Sequence, residues 1–199
     1  MRLLIARHGQ SVGNATKMIQ GNTHGRLTKK GRKQAEKLVQ RLLKEKIDII
    51  YCSDLRRCKQ TIKPFLKLRK ISVVYTKELR ERSFGIFNNK SRKEFLQWLK
   101  KHTNNKKNFS IRIPKGESFK DVRKRTEKFL NKLLKKNHLN VLLVTHGMTN
   151  VAIMLYLLKK NEKYYNKYKI DNAGLSIVHL KKNGEHRARL INSIKHLIN

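Results

Sequence analysis

The residues that suggest chemistry most directly are Arg7, His8 and Gly9, which follow a short apolar run. An arginine offers a planar guanidinium to phosphate oxygens, and a glycine lets the backbone approach a ligand closely. A histidine can act as a nucleophile or as a proton carrier near neutral pH. Most such tripeptides form surface turns. The three residue types suit a phosphate site, and the assignment needs support from elsewhere in the chain.

A second stretch repeats this arrangement. An apolar run from Asn140 to Thr145 is followed by His146 and Gly147. In an open α/β sheet, ligands bind beyond the carboxyl ends of the strands. If the two apolar runs are neighbouring parallel strands, His8 and His146 meet at one edge of the sheet. The repeated pattern therefore favours an active site over two unrelated structural histidines.

The elements that would position these residues alternate along the chain. Sequence patterns predict helices over 29–43, from 54 to Pro64 or slightly beyond, over 118–134 and over 151–158. Short apolar or β-branched runs predict strands at 48–51, 71–75, 175–180 and 187–191. Asn183 and Gly184 predict a hairpin between the last two strands. A polar stretch with a short amphipathic helix predicts a small cap at about residues 82–117. We expect one domain over 1–199.

The charge of the chain is extreme. Its 199 residues include 49 Lys+Arg against 13 Asp+Glu, which gives a formal net charge of +36. Such a field attracts polyanions and permits non-specific binding of nucleic acid. The lysines are dispersed as pairs such as Lys29-Lys30, without a basic tail or an RNA-binding signature. A compositional bias is the preferred explanation, and non-specific polyanion binding is the alternative.

Other sequence features bound the class of protein. No run of 18 or so uncharged apolar residues is present, so we expect no transmembrane helix, no membrane partner and a cytoplasmic location. Cys52 and Cys58 are too few for a disulfide framework, and we expect both to be small buried apolar residues. No Cys/His group has zinc-site spacing, so we expect no metal and no cofactor.

Glu81 stands between Arg80 and Arg82 in a chain that is poor in acidic residues. A carboxylate in this setting is usually half of an ion pair. It can also be a proton-transfer group that its cationic neighbours hold near a phosphate.

Taken together and in this order, these stretches resemble the histidine phosphatase superfamily, which has the phosphoglycerate-mutase-like fold. The resemblance spans nearly the whole chain and is closest in motif to the fructose-2,6-bisphosphatase type. It implies a three-layer α/β/α sandwich with a mostly parallel central sheet and a small inserted cap. The stretches that carry it are Arg7-His8-Gly9, the Ser53–Thr61 block, the Glu81 loop, Gly116-Glu117-Ser118 and Thr145-His146-Gly147.

The resemblance also implies roles for individual residues. His8 would be the nucleophile that becomes phosphohistidine, and Glu81 would be the acid/base. Arg7, Arg57 and His146 would line the phosphate pocket. The residues expected to contact the substrate are Asn14, Gln20, Gly21, Arg80 and Arg82. From their charge, and independently of the resemblance, Arg80 and Arg82 together with Arg26 could hold a second anionic group, which favours sugar bisphosphates or phosphorylated acids over simple monoesters.

The function that this implies is metal-independent hydrolysis of small phosphorylated metabolites through a phosphohistidine intermediate. One alternative on the same fold is a phosphoglycerate mutase dependent on 2,3-bisphosphoglycerate. An alternative of another class is a basic nucleic-acid-binding protein on this fold. The motifs carry no information on the oligomeric state.

Overall fold

The computed structural model describes residues 1–103, 111–181 and 184–198. The strands are β1 (Arg2–Arg7), β2 (Ile49–Ser53), β3 (Val73–Thr76), β4 (Asn140–Thr145), β5 (Leu175–His179) and β6 (Arg187–Ser193). The helices are α1 (Val12–Ala15), α2 (Lys29–Leu42), α3 (Arg56–Leu68), α4 (Arg92–His102), α5 (Phe119–Leu134), α6 (Gly147–Leu157) and α7 (Lys195–Ile198). Short 3-10 helices lie at Lys77–Leu79, Gly85–Phe87 and Glu162–Tyr168.

The strands form one six-stranded sheet in the order β3-β2-β4-β1-β5-β6. The first four in this order are mutually parallel, and β5 pairs antiparallel with both β1 and β6. The expected neighbourhood of the two histidine strands is confirmed, because β1 lies beside β4 with Arg7 opposite Thr145. The β5–β6 pair agrees with the predicted hairpin, although Asn183 of its turn lies outside the described residues.

Each face of the sheet carries a layer of helices, which confirms the predicted three-layer α/β/α sandwich. Leu3 and Ile5 pack on one side with residues of α5 and α6. Leu4 and Ala6 pack on the other side with residues of α2 and α3. Strands covered on both faces read as continuous apolar runs, which is why β1 and β4 are recognisable in the sequence. Cys52 and Cys58 are free and buried, as expected.

The helices begin at recognisable caps. The Thr28 side chain accepts a hydrogen bond from the Gly31 N–H, and Ser118 with Asp121 forms a capping box at the start of α5. The prediction that α3 ends at Pro64 or slightly beyond agrees with the structure, in which the helix continues to Leu68. None of the described helices combines the length and the apolar character needed to cross a membrane.

The predicted cap begins and ends at two chain segments that are bonded to each other. The Glu117 N–H donates to the Ser83 carbonyl (2.9 Å), and the Ile86 N–H donates to the Pro114 carbonyl (3.2 Å). Gly85 has a φ of +52°, and a Cβ there would lie 1.9 Å from the Pro114 oxygen. Only a glycine lets the two segments approach so closely. We propose that 82–117 is a cap on a single domain over 1–199.

Candidate active site

A cavity of about 500 Å³ opens where β1 and β4 end, between the sheet and the cap. Its wall combines residues from these strand ends with residues from the loop after α1, from the cap and from the segment before β5. Those on which the site depends are Arg7, His8, Asn14, Gln20, Gly21, Arg57, Glu81 and Arg82.

His8 presents one defined ring nitrogen to this cavity. Its Nδ1 lies 2.7 Å from the Gly9 carbonyl oxygen. A carbonyl oxygen only accepts hydrogen bonds, so Nδ1 carries the proton and Nε2 keeps its lone pair. Burial, followed by the positive charges of Arg57 and Arg7, holds the pKa of His8 well below its ordinary value of 6.5. The imidazole is therefore neutral, as a nucleophile must be.

The loop that carries His8 is fixed on three sides. The Gly9 N–H donates to Thr61 Oγ1 (3.1 Å), which ties the loop to α3. The His8 carbonyl accepts from the Ala173 N–H (3.1 Å) and from Asn172 Nδ2 (3.2 Å). A Cβ on Gly9 would lie 2.4 Å from the Gly31 oxygen, so a larger residue does not fit against α2. These contacts fix the backbone that carries the nucleophile.

His146 and Arg57 form a hydrogen-bonded pair beside His8. Arg57 Nε donates to His146 Nδ1 (3.1 Å), and its two terminal nitrogens donate to the Thr23 and Gly21 carbonyls (2.7 Å each). Because Nδ1 accepts from a guanidinium, His146 Nε2 carries the ring proton and donates it to Ser53 Oγ (2.8 Å). Burial and the charge of Arg57 hold the pKa of His146 well below 6.5.

The structure brings His146 into the site without placing it on the cavity wall. Its ring centroid lies 5.1 Å from that of His8, and the residue is 0% exposed. Both of its ring nitrogens are engaged, by Arg57 and Ser53. In this structure the hydrogen bond between Arg57 and His146 orients the guanidinium, and the prediction that His146 itself lines the phosphate pocket stays a prediction.

The guanidinium of Arg7 has an N–H group that is available to a ligand. Its Nη1 donates to the Ile170 carbonyl (2.7 Å), whereas its buried Nε has no hydrogen-bond partner among the described residues. Burial lowers the pKa of Arg7, and the nearby carboxylates of Glu81 and Asp171 oppose this shift. A buried N–H without a partner is costly, and an anionic oxygen beside it would remove that cost.

Glu81 lies at the amino end of α6 with its carboxylate in the cavity wall. One oxygen accepts from the Arg82 N–H (3.0 Å) and the other from the Met148 N–H (3.2 Å). The loop that carries Glu81 is anchored by two threonine side chains. Thr145 at the end of β4 donates to the Leu79 carbonyl, and Thr149 in α6 donates to the Arg80 carbonyl. Within the described residues Glu81 makes no ion pair, which leaves the proton-transfer interpretation in place.

Four of the five predicted substrate contacts lie in the cavity wall, and three of them are Asn14, Gln20 and Gly21. Asn14 accepts from the Ser11 N–H and from Asn172 Nδ2, and its own NH₂ donates to no group among the described residues. Gln20 Oε1 accepts from Ser11 Oγ (2.5 Å). Gly21 has a φ of +50° and supplies a carbonyl to Arg57.

The other two, Arg80 and Arg82, do not form the expected second-anion site. Arg80 lies outside the cavity wall, because its guanidinium makes a bidentate ion pair with Asp54 (2.7 and 2.6 Å). Arg82 contributes to the wall but is 3% exposed and donates to the Glu117 and Ile111 carbonyls. These hydrogen bonds from the Arg82 guanidinium stabilise the base of the cap.

Several residues of the cavity wall carry no sequence signal for this role. The missed cations are Lys17, Arg92 and Lys169, and the missed aromatic residues are Phe84, Phe95 and Tyr165. They come from the loop after α1, from the cap with its helix α4, and from the 3-10 helix and loop before β5, and no motif in the sequence marks these side chains as facing the site. Across 1–103, 111–181 and 184–198, no cluster of three or more His, Cys, Asp or Glu side chains could hold a metal ion.

Comparison with known proteins gives one consistent result. Residues 3–193 match the family model for the histidine phosphatase superfamily (branch 1). A putative phosphoserine phosphatase 2 of Hydrogenobacter thermophilus is 32% identical over 187 residues, which cover 90% of this chain and 89% of the relative. A probable phosphoglycerate mutase, GpmB, of Yersinia enterocolitica is 31% identical over 183 residues, 89% of this chain and 84% of the relative.

Solved structures agree with this result. The crystal structure of a putative alpha-ribazole-5'-P phosphatase from Escherichia coli superposes with a TM-score of 0.87 at 25% sequence identity, covering 97% of each chain. None of the three proteins is a fructose-2,6-bisphosphatase, so the finer resemblance to that type stays a prediction.

Proposed function

The chain belongs to the histidine phosphatase superfamily, and from this premise we propose that it hydrolyses small phosphomonoesters through a covalent phosphohistidine at His8. The observation that carries the proposal is the neutral imidazole of His8, whose Nε2 lone pair is free beside the guanidinium groups of Arg7 and Arg57. This combination provides a nucleophile and positive charge at one point.

In the first step, His8 Nε2 attacks phosphorus and the bond from phosphorus to the ester oxygen breaks. The N–P bond forms, and the leaving oxygen takes a proton from Glu81 in its carboxylic acid form. Arg7 and Arg57 stabilise the charge on the equatorial oxygens of the transferring group. We propose that the Asn14 NH₂, which donates to no group among the described residues, donates to the same oxygens.

In the second step, water attacks the phosphorus of phosphohistidine. The Glu81 carboxylate takes a proton from this water, the N–P bond breaks, and inorganic phosphate leaves. His8 returns to its neutral form and Glu81 to its acid form, so the cycle is balanced. The N–H donors of Arg82 and Met148 keep the carboxylate aimed at the reacting oxygen in both steps.

The mutase alternative is weaker. A mutase must keep water away from phosphohistidine long enough for the intermediate to reorient, which calls for a substantial lid. Here only residues 82–116 separate Glu81 from Glu117, and the two ends of this segment are bonded to each other. A short cap of this kind suits hydrolysis better than phosphoryl retention.

The positive charge of the chain accompanies this function and does not form a dedicated nucleic-acid site. The lysine pairs are spread along the whole sequence. Any binding of polyanions is therefore non-specific and weakens as salt rises, because it depends on counterion release. We place the protein in the cytoplasm, with small phosphorylated metabolites as its partners.

The decisive experiment supplies 3-phosphoglycerate with a trace of 2,3-bisphosphoglycerate and follows free phosphate and 2-phosphoglycerate together. We expect phosphate release to exceed isomerisation and to be unaffected by EDTA, since the two steps above use only side chains and water. Isomerisation that outruns phosphate release would favour the mutase. Activity that EDTA removes and a divalent metal restores would contradict the mechanism.

A further inference from the structure

Glu81 lies in an irregular segment between two short 3-10 helices, so its position depends on contacts with other elements. A general acid transfers its proton only when its oxygen comes within about 2.6–3.2 Å of the accepting atom. A small movement of this segment would therefore reduce proton transfer to the leaving group, even with the carboxyl group still present.

Two consecutive residues of α6 hold two consecutive residues of this segment. The Met148 N–H donates to Glu81 Oε2 (3.2 Å), and Thr149 Oγ1 donates to the carbonyl oxygen of Arg80 (2.6 Å). Thr149 is fully buried and lies outside the described cavity wall, so its hydroxyl faces the Glu81 segment and not the substrate.

The bond from Thr149 acts on the backbone of Glu81. The Arg80 carbonyl and the Glu81 nitrogen belong to one planar peptide group, so a hydrogen bond to that carbonyl fixes the plane from which the Glu81 side chain extends. The bond from the Met148 N–H acts at the other end, on the carboxylate itself. Together the two bonds determine where the carboxyl group lies and which way it points.

Helix α6 is a rigid support for these contacts. Val151, Ala152 and Ile153 are buried in the core cluster that covers one face of the sheet. The first residue of the helix, Gly147, passes close to the reaction centre, since a Cβ there would lie 3.6 Å from both Glu81 Oε2 and Arg7 Cζ. Groups held by such an element keep their geometry more precisely than groups on a free loop.

The direction of the Thr149 bond is unusual for a threonine in a helix. A helical threonine hydroxyl commonly bonds to a carbonyl of the preceding turn. Thr126 of α5 does this, because its hydroxyl donates to the Val122 and Arg123 carbonyls. Thr149 instead donates to a carbonyl that lies 69 positions earlier in the chain.

Resting on the proposed function, we infer that Thr149 is a positioning residue for the general acid. Its hydroxyl holds the peptide group between Arg80 and Glu81 so that the Glu81 carboxyl reaches the leaving oxygen in the first step. Thr149 touches neither the substrate nor the reacting atoms, and it acts only through Glu81.

The test compares two esters that each carry one aromatic ring, benzyl phosphate and p-nitrophenyl phosphate. The alkoxide of benzyl alcohol is a strong base and needs the proton from Glu81 in order to leave. The p-nitrophenolate ion is a weak base and leaves without it. The measured quantity is kcat/KM, which covers the steps up to the departure of the leaving group.

Thr149→Val keeps the shape of the side chain and removes the donor. It should lower kcat/KM for benzyl phosphate about tenfold or more, and for p-nitrophenyl phosphate less than about threefold. A loss of folded protein would lower both values equally, because both esters need His8 and Arg7. If Thr149→Val does not fold, Thr149→Cys, which has only a weak S–H donor, replaces it and should change the ratio in the same direction.

Three further variants locate the cause. Thr149→Ser keeps the hydroxyl and should keep the wild-type ratio of the two kcat/KM values. Thr126→Val removes an equally buried threonine hydroxyl from α5, away from the Glu81 segment, and should also keep this ratio. In a Glu81→Gln background, Thr149→Val should cause no further loss with benzyl phosphate, because the two changes act through one carboxyl group.

The outcomes separate the two proposals. Equal losses on both esters in Thr149→Val, or the same change of ratio in Thr126→Val, would overturn the role of Thr149 and leave phosphatase function standing. A further loss in the Glu81→Gln background would also overturn it. No phosphate release by the wild type from either ester or from 3-phosphoglycerate would overturn the proposed function, and the inference with it.

Discussion

His8 and His146 follow two neighbouring strands in the same sequence pattern, yet the protein uses them differently. His8 is held through Nδ1 by the adjacent Gly9 carbonyl, which leaves Nε2 facing the cavity. His146 is held through both ring nitrogens, by Arg57 in α3 and by Ser53 at the end of β2. The first is equipped to react, and the second to keep a guanidinium in position.

The difference shows that a shared motif fixes where a side chain lies and not which of its atoms is free. Both imidazoles are buried and neutral, and both have a lowered pKa. Only their hydrogen-bond partners distinguish them, and those partners decide which nitrogen carries the proton.

The largest predicted loss of activity comes from removing Nε2 of His8. His8→Ala should reduce kcat by about 10⁴-fold or more, because no other side chain supplies the covalent acceptor. Phosphate release in the steady state measures this loss, and His179→Ala, which changes an exposed histidine of β5, should retain activity. An acid-labile, alkali-stable phosphoprotein still formed by His8→Ala would show that the nucleophile lies elsewhere.

A smaller loss of activity is expected when His146 is replaced by asparagine or, in a separate variant, by glutamine. The amide groups of these two residues reach different positions. An asparagine oxygen can replace Nδ1 and accept from Arg57 Nε, whereas a glutamine amide reaches the position of Nε2 near Ser53. We expect His146→Asn to keep at least about tenfold more kcat/KM than His146→Gln, the strength of one hydrogen bond to a charged group. If His146→Gln were the more active, the hydrogen bond from Nε2 to Ser53 would matter more than the contact with Arg57, and the role of His146 in orienting Arg57 would be wrong.

The smallest effect appears in stability rather than in activity. Since the pKa of His8 is lower in the folded protein than in the unfolded chain, its contribution is complete above pH 6.5 and is lost as the pH falls below that value. His8→Asn should lower the slope of unfolding free energy against pH below pH 6.5, and about 1.4 kcal/mol per pH unit, the value for one whole proton, is the upper limit of this change. Urea denaturation at several pH values measures both slopes, and equal slopes would mean that His8 is not buried in its neutral form.

Much of the fold was predictable because its signals are local. The apolar runs before His8 and His146 could be read as strands buried on both faces, and their matching ends placed the two histidines at one edge. The helix caps at Thr28 and Ser118 were visible for the same reason. The end of α3 was predictable only approximately, because Pro64 indicated an end at or slightly beyond it, and the packing of Phe65 in the core accompanies a helix that continues to Leu68.

The details of the site were less predictable because they depend on partners far apart in the chain. Arg80 looked like a ligand for an anion until the fold brought Asp54 within 2.6 Å of it. The presence of His146 near His8 was predictable, whereas its hydrogen-bond partners Arg57 and Ser53, about 90 positions earlier in the chain, were not. Lys17, Arg92 and Lys169 belong to three separate segments, and only the folded chain brings them to one cavity.

The hydrogen bonds that join the two ends of the cap also make its length adjustable during evolution. Since Ser83 and Glu117 already meet, the loop above them is closed whatever its size, and doubling its length would cost only about 0.6 kcal/mol of loop entropy. Insertions or deletions between these residues need not shift the register of the sheet or the positions of His8 and Arg57. A chain of this architecture can therefore exchange one cap for another and acquire new substrates while the phosphoryl-transfer chemistry stays unchanged.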